Sequence, residues 1–164
     1  MTLGTGRFRG FSLLEMLITL AVVVLFSGYF ILKFDDGQAE ELLGRSAAGV
    51  KGLALKAKKR AFAYRREHYV IFSPTSILLS DSGLSSDASE SSAIQEVVEI
   101  PEGVKMELMP PGQAKWIRAG DYVWTFRDSG LSDPIRVRFS FGKSYTTLSF
   151  NVLTALAEEE TFLE

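Results

Sequence analysis

The chain places one carboxylate, Glu15, near the start of a long apolar run. The run extends from Phe11 to Leu32, holds 22 residues and contains no other charged side chain. An unpaired charge in the hydrocarbon of a bilayer costs about 3 kcal/mol on insertion scales. We therefore expect Glu15 to have a charged partner or a specific purpose.

Few other groups in the sequence are suited to catalysis. The chain has one histidine, His68, and no cysteine, so thiol chemistry and cysteine metal sites are excluded and a histidine-based triad has little to build on. The sequence contains no Gly-rich phosphate loop, zinc-protease helix or nucleophile elbow. We predict a non-enzymatic protein with no catalytic site, metal site or cofactor, and we interpret His68 as a structural or surface residue.

The apolar run is long enough to cross a membrane. At about 1.5 Å per helical residue it just spans a hydrocarbon core of roughly 30 Å. Arg7 and Arg9 precede the run, whereas Lys33, Asp35 and Asp36 follow it. Because basic residues stay on the cytoplasmic side, the N-terminus is predicted inside and the rest of the chain outside.

The residues around Glu15 resemble the processing site of the type IV prepilins and the type II secretion pseudopilins. A short basic leader over 1–10, the Gly10-Phe11 junction, Ser12-Leu13-Leu14 and Glu15 carry this resemblance. It implies cleavage between Gly10 and Phe11 by a prepilin peptidase and N-methylation of Phe11. Glu15 would then be the fifth residue of the mature chain.

A pairing role for Glu15 agrees with this resemblance. A carboxylate about one helical turn from a freed amine can pair with the amine of a neighbouring subunit when helices stagger along a filament. Two alternatives stay open, namely a secretory signal peptide removed after the run and an uncleaved anchor with an incidental Glu15. Phe26-Ser27-Gly28 fits the small-residue site of a signal peptidase poorly.

Beyond the run, the apolar pattern narrows to one face of a helix that continues to about Arg65. We predict one long helix, transmembrane over 11–32 and amphipathic over 33–66. Its glycines, Gly49 among them, each weaken it by up to about 1 kcal/mol. We interpret the basic cluster Lys56–Arg66 as solvated last turns. The predicted packing face consists of Ala39, Leu42, Leu43, Ala47, Val50, Leu53, Ala54, Ala57, Ala61 and Tyr64.

From His68 the apolar pattern repeats every two residues, which indicates strands. The sequence predicts an α+β fold, with the helix packed on an antiparallel β-sheet head over 67–164 that has one apolar face. We interpret Glu158-Glu159-Glu160 as a solvated tail. The predicted strands are His68–Phe72, Ser76–Ser80, Val97–Ile100, Val104–Met109, and three more around Trp124, Val137 and Phe150.

A serine-rich acidic loop is predicted over 80–96. It holds seven serines, four acidic residues and no basic residue, a composition that cannot bury a core. Asp81, Asp87 and Glu90 match no calcium-loop spacing, so no metal site is predicted there.

The C-terminal part of the head resembles the H-type minor pseudopilins and the related FimT-like minor pilins. Phe126-Arg127-Asp128-Ser129-Gly130, Pro134 before a strand, and a last strand after a short turn carry this resemblance. The chain differs from the pattern at Val152-Leu153-Thr154-Ala155, where the family often has a glycine. The resemblance implies a pilin-like fold.

These resemblances imply a minor pseudopilin, a structural subunit of the periplasmic pseudopilus of a type II secretion system, placed near the filament tip. It would be a single-pass protein of the inner membrane with a periplasmic head. The implied partners are other pseudopilins, the prepilin peptidase, the inner-membrane assembly platform, and the secreted substrate or the outer-membrane secretin.

Two alternatives of function stay open. The first is a minor type IV pilin for pilus biogenesis or DNA uptake, for which Arg136, Arg138 and Lys143 would form a basic sheet face. The second is a membrane-anchored periplasmic binding module that never polymerises. Without Arg7 and Arg9 the chain has 16 basic and 20 acidic side chains, and this charge does not indicate nucleic-acid binding.

Overall fold

The computed structural model describes residues 12–81, 94–120 and 122–164. In these ranges one helix, α1, precedes nine strands, so the predicted α+β class is confirmed. The bounds are α1 Leu13–Tyr64, β1 His68–Phe72, β2 Ser76–Ser80, β3 Ile94–Glu99, β4 Lys105–Met109, β5 Ile117–Arg118, β6 Tyr122–Phe126, β7 Arg136–Phe141, β8 Ser144–Phe150 and β9 Ala157–Phe162.

Helix α1 is 52 residues long and crosses the boundary between the two compact units of the chain, Met1–Gly37 and Gln38–Glu164. It ends at Tyr64 because Arg65 takes a left-handed backbone angle, with φ of 54°. A left-handed residue directly after the last helical turn is a common helix stop. The single long helix was predicted, and its C-terminal end lies one residue before the expected position.

The strands of the second unit form two antiparallel sheets rather than the single sheet that was predicted. The first sheet has the order β3-β2-β1-β6 and the second the order β5-β4-β7-β8-β9. The β1–β2 hairpin has the predicted bounds. Strands β3 and β4 are consecutive in sequence but lie in different sheets, because β3 pairs with β2 whereas β4 pairs with β7. A period of two identifies a strand but not its partner.

The core lies between the helix from Ala39 to Ala61 and the inner faces of both sheets. Eight of the ten residues predicted to pack are buried, and Leu42 is half-buried. Tyr64 was predicted wrongly as a packing residue, since 65% of its surface is exposed. Ser46, which was not predicted, is buried and donates to the carbonyl of Leu42 at 2.9 Å.

Trp124 connects the two sheets. Its indole contacts Phe126 of its own strand with ring centroids 4.5 Å apart, and Phe150 of the second sheet at 4.9 Å. Its Nε1 donates to the carbonyl of Asp133 at 2.8 Å. Because a buried indole is apolar apart from this one donor, Trp124 can fill the centre of the core without leaving a polar atom unpaired.

The acidic C-terminal residues form strand β9. The prediction of a solvated tail is therefore wrong for the backbone, although the acidic side chains are exposed. Residues 157–162 pair with β8 along their whole length. The hydrogen bonds between β8 and β9 are made by backbone groups, so acidic side chains do not prevent them. For this reason the acidic composition gave no sign of the strand. Ala155, buried and with φ of 55°, lies in the turn that joins β8 to β9.

The predicted acidic loop over 80–96 lies mostly outside the described residues. Ser80 is the last residue of β2, and β3 begins at Ile94, two residues before the predicted end of the loop. In that respect the loop was predicted too long.

Candidate functional site

The helix begins with Ser12 as its N-cap. The hydroxyl oxygen of Ser12 accepts a hydrogen bond from the backbone N–H of Glu15 at 3.2 Å, and the Ser12 carbonyl accepts from Glu15 and Met16. Sequence reasoning missed this role, although Ser followed three residues later by Glu is the signature of a capping box. Gly10 and Phe11, the predicted cleavage site, lie outside the described residues.

Glu15 lies in the first turn of α1 and is exposed. Its carboxylate forms no ion pair or hydrogen bond with any residue that the structure describes. An acidic group in a first helical turn gains about 0.3–1 kcal/mol from the helix dipole, which is less than the roughly 3 kcal/mol that a bilayer position costs. The helix terminus therefore does not by itself account for a carboxylate in this run, and Glu15 is free to accept a cation from another molecule.

The helix around Glu15 is apolar on all sides. Large apolar side chains from Leu13 to Phe26 are exposed around the whole circumference, Leu13 by 83% and Leu25 by 74%. The hydroxyl of Thr19 donates to the carbonyls of Glu15 and Met16, each at 2.9 Å, so it leaves no free donor on this surface. Within the described ranges no helix is both long and apolar enough to cross a bilayer, and the span over 11–32 stays a prediction.

The basic cluster at the end of α1 is mostly exposed, in keeping with the interpretation of Lys56–Arg66 as solvated last turns, and several of its side chains also have partners. Lys56 pairs with Glu96 of β3, and Arg66 pairs with Asp81 at 3.1 Å. Lys58 donates to the carbonyls of Gly130 and Leu153. These groups fasten the helix to distant segments, at about 0.2–1 kcal/mol for an exposed pair, and are not gathered for an anionic ligand.

The basic sheet face expected for a DNA-binding pilin is a mixed face. Arg136 and Arg138 point outward from β7, but Glu158 and Glu160 of β9 lie on the same side of the second sheet. Lys143 pairs with Glu164 at 2.8 Å. A polyanion would therefore meet carboxylates beside the arginines.

His68 lies in the core. Its Nδ1 is 3.3 Å from the carbonyl of Arg66, and its Nε2 is buried without a hydrogen-bond partner. Tyr64 stacks on the imidazole with ring centroids 6.1 Å apart. The described residues contain no group of three or more His, Asp or Glu that could hold a metal ion.

Two tyrosines have a raised pKa. The hydrogen bond from Tyr69 to Glu67 at 2.8 Å, with burial and the Glu67 charge adding to it, raises the pKa of Tyr69 above its usual 10.0. Burial, followed by the charge of Asp133, raises the pKa of Tyr122. Both shifts favour the protonated phenol, so neither group is prepared to act as a base at neutral pH.

The comparisons with known proteins bear on the N-terminal segment. A family model described as "Prokaryotic N-terminal methylation motif" matches residues 6–29. This range includes the Gly10-Phe11 junction, Ser12 and Glu15. No curated protein and no solved structure matches the chain significantly. The motif supports a type IV pilin-like or pseudopilin protein, and it implies membrane anchoring.

Proposed function

We propose that this chain is a minor pseudopilin, a structural subunit of the periplasmic pseudopilus of a type II protein secretion system, placed near the filament tip. The observation that carries the proposal is the methylation motif over residues 6–29. The long helix followed by an antiparallel head adds support, because it is the arrangement expected of a pilin-like subunit.

The mechanism begins with processing at the N-terminus. The prepilin peptidase cuts between Gly10 and Phe11 and leaves a methylated amine on Phe11. The segment 11–32 holds the subunit in the inner membrane, because the apolar side chains exposed from Leu13 to Phe26 favour lipid over water. The Glu15 carboxylate, which has no partner within the described residues, then pairs with the Phe11 amine of a neighbouring subunit during assembly.

The head acts as a structural body and not as a catalyst. Its one imidazole is buried, and its two perturbed tyrosines are held in the neutral form. The surface of the head is left to contact other pseudopilins, the assembly platform, and a secreted substrate or the secretin.

Mass spectrometry of the mature chain tests the processing step. We expect a mature N-terminus at Phe11 with one added methyl group. Gly10→Leu should abolish processing, because the peptidase must accommodate a very small side chain before the cut, whereas Gly6→Leu in the same leader should be processed normally. A mature chain that starts at Met1 or after Ser27 would rule out the proposal.

A deletion strain tests the system in which the subunit works. Loss of type II secretion with pili retained, restored by the wild-type chain but not by Gly10→Leu, is the expected result. Loss of pili with secretion intact would assign the chain to a pilus as a minor pilin. If neither system is affected, the membrane-anchored binding module is the better description.

A further inference from the structure

The outward side of the second sheet is a charged and aromatic surface, which we call the outer face. Side chains of the opposite side, such as Val137, Phe139 and Leu148, are buried in the core. Because neighbouring side chains of a strand alternate between faces, the residues between them point outward. The outer face includes Arg136, Arg138, Tyr145, Ser149, Glu158 and Glu160.

The charges of the outer face are sorted by strand. In one row across the sheet, Arg136 of β7 lies opposite Ser149 of β8, which lies opposite Glu158 of β9. In the next row, Arg138 and Glu160 flank Thr147 in the same way. At about 4.8 Å per strand, the arginine and the glutamate of one row are roughly 10 Å apart. They form no ion pair with each other within the chain.

Both arginines contact uncharged side chains, and the one carboxylate opposite them in the register of β4, Glu107 opposite Arg138, forms no ion pair with it. The guanidinium carbon of Arg138 is 4.1 Å from the ring centroid of Trp116 and 4.9 Å from that of Tyr145. Its Nε donates to the hydroxyl of Thr147 at 3.3 Å, and the Nε of Arg136 donates to Ser149 at 3.2 Å. None of the carboxylates in the described part of the head pairs with either group.

Such an arrangement suits binding to a carboxylate on another molecule. Aromatic rings and a hydroxyl fix the guanidinium, so little side-chain entropy is lost when its remaining N–H groups bind. Arginine, tryptophan and tyrosine are also the residues that contribute most at the centres of protein interfaces.

We propose that two copies of this chain pair through their outer faces about a two-fold axis that runs along β8. Rotation about this axis places β7 of one copy over β9 of the other and keeps the rows in register. Arg136 of each copy then faces Glu158 of the other, and Arg138 faces Glu160. Each pair occurs twice, so the surface is complementary to itself.

The spacing of packed sheets fits these contacts. Sheets that pack face to face lie about 10 Å apart, with strands within about 30° of each other. A glutamate side chain extended from one sheet spans enough of this gap to reach a guanidinium that lies against the opposite sheet. Near the axis the relative twist moves the rows little, so the two rows named here keep their partners.

The size of the outer face sets the strength of the dimer. Only β7, β8 and β9 face each other across this axis. Three strands of about six residues cover roughly 15 by 20 Å, on the order of 300 Å² per copy, against about 800 Å² per partner in a standard stable complex. The dimer is therefore weak, reversible and sensitive to salt. Confinement of both copies to one membrane raises their effective concentration and favours pairing.

A single cysteine near the axis provides the measurement. The chain has no cysteine of its own, so Ser149→Cys in the full-length protein gives one unique thiol. We expect a bis-maleimide reagent of about 10 Å reach to link two copies in membranes at low salt, since this reach matches the sheet separation. The matched control is Ser129→Cys, an exposed turn position off the outer face, which should not form the dimer.

Two charge-reversed variants expressed together distinguish contacts between copies from effects within one copy. In the Ser149→Cys background, Arg136→Glu alone should lower cross-linking on the order of tenfold, because both of its pairs become repulsive. Glu158→Arg alone should do the same. When the two variants carry different tags and are expressed together, the mixed dimer should recover wild-type cross-linking, since both of its pairs are again attractive.

Several results from these variants would overturn the proposal. These are no Ser149→Cys dimer, single reversals that cross-link as well as the wild type, and a mixture that recovers nothing. Cross-linking of Ser149→Cys to a different protein in place of a second copy would also overturn it. Pairing of the heads does not require cleavage, so Gly10→Leu should still dimerise and the two proposals can fail separately.

Discussion

The two halves of α1 differ in where their apolar side chains lie. From Leu13 to Phe26 the helix is apolar around its whole circumference, and its large side chains are exposed. From Ala39 to Ala61 one apolar face of alanine, leucine and valine side chains packs in the core, while charged residues occupy the other sides. The first half needs a surrounding medium or partner helices, whereas the second half finds its partners within its own chain.

Charged side chains in the two halves also differ in where their partners lie. Glu15 has no partner among the described residues, whereas Lys51 and Lys56 reach Glu159 and Glu96 on separate strands. Ion pairs of the second half therefore help to position the head. The charge of the first half is available to another molecule.

The largest effect is expected for assembly when Glu15 is replaced. Glu15→Leu should be processed and inserted yet fail to enter the filament, because the amine of a neighbouring Phe11 would be drawn into an apolar bundle unpaired, at a cost of several kcal/mol. Glu15→Asp should retain part of the function. Cross-linking of neighbouring subunits in cells, with secretion assayed in parallel, measures both.

Ser12→Ala is the control for a role of Glu15 in helix capping. It removes the cap at about 1 kcal/mol and should leave assembly largely intact. Wild-type assembly of Glu15→Leu, or an equal loss with Ser12→Ala, would contradict the pairing mechanism.

A matched pair of leucines compares the two halves directly. Leu53 is 1% exposed and Leu20 is 70% exposed. Leu53→Ala should lower the free energy of unfolding of the head by about 2–5 kcal/mol, whereas Leu20→Ala should change it by less than about 0.5 kcal/mol. Urea unfolding of the full chain in detergent, followed by tryptophan fluorescence, reports on the head because Trp116 and Trp124 both lie there. An equal loss of unfolding free energy in Leu53→Ala and Leu20→Ala would contradict this difference between the two halves.

Two helical glycines should respond with opposite signs. A Cβ built at Gly49 would lie 2.6 Å from Cγ1 of Val98 on β3, whereas one at Gly52 would meet nothing within 4 Å. Gly49→Ala should destabilise the head by about 1–3 kcal/mol, and Gly52→Ala should stabilise it by up to about 1 kcal/mol. The same unfolding measurement applies, and stabilisation by Gly49→Ala would mean that β3 moves aside freely.

The smallest effect is a loss of stability in alkali. The pKa values of Tyr69 and Tyr122 are raised in the folded chain above the ordinary 10.0. Their stabilisation is therefore complete below pH 10 and is lost as the pH rises through the raised values. The free energy of unfolding should fall as the pH rises above 10, and it should fall less in Tyr122→Phe. An identical fall in both proteins would exclude a contribution from Tyr122.

Local patterns in the sequence were enough for the helix, the first hairpin and most strands. Apolar steps of three and four gave the packing face of α1, and the β1–β2 hairpin has the predicted bounds. No local pattern in the sequence indicated which distant strands pair with each other. Strand β6 joins β1 across more than 50 residues of chain, and only the three-dimensional packing separates the two sheets.

In the candidate site, too, local features were predictable from the sequence and contacts with distant residues were not. Glu15 was identified because one charge in an apolar run stands out in the sequence. The contacts of Lys51, Lys56 and Lys58 could not be predicted, because their partners come from strands and turns remote in the chain. Gly49 was interpreted only as a weak point of the helix, since its close approach to Val98 depends on the placement of β3.

The left-handed angle of Ala155 changes how the C-terminal segment should be compared with other proteins. The position lies in the stretch 152–155, where the resembling families often have a glycine, and its backbone has the conformation that glycine adopts most easily. The N–H of Ala155 donates to the carbonyl of Asn151 at 2.8 Å, so the turn is closed without a glycine. An alignment by residue type scores a mismatch here, whereas an alignment by backbone torsion angle would place this turn among the glycine turns.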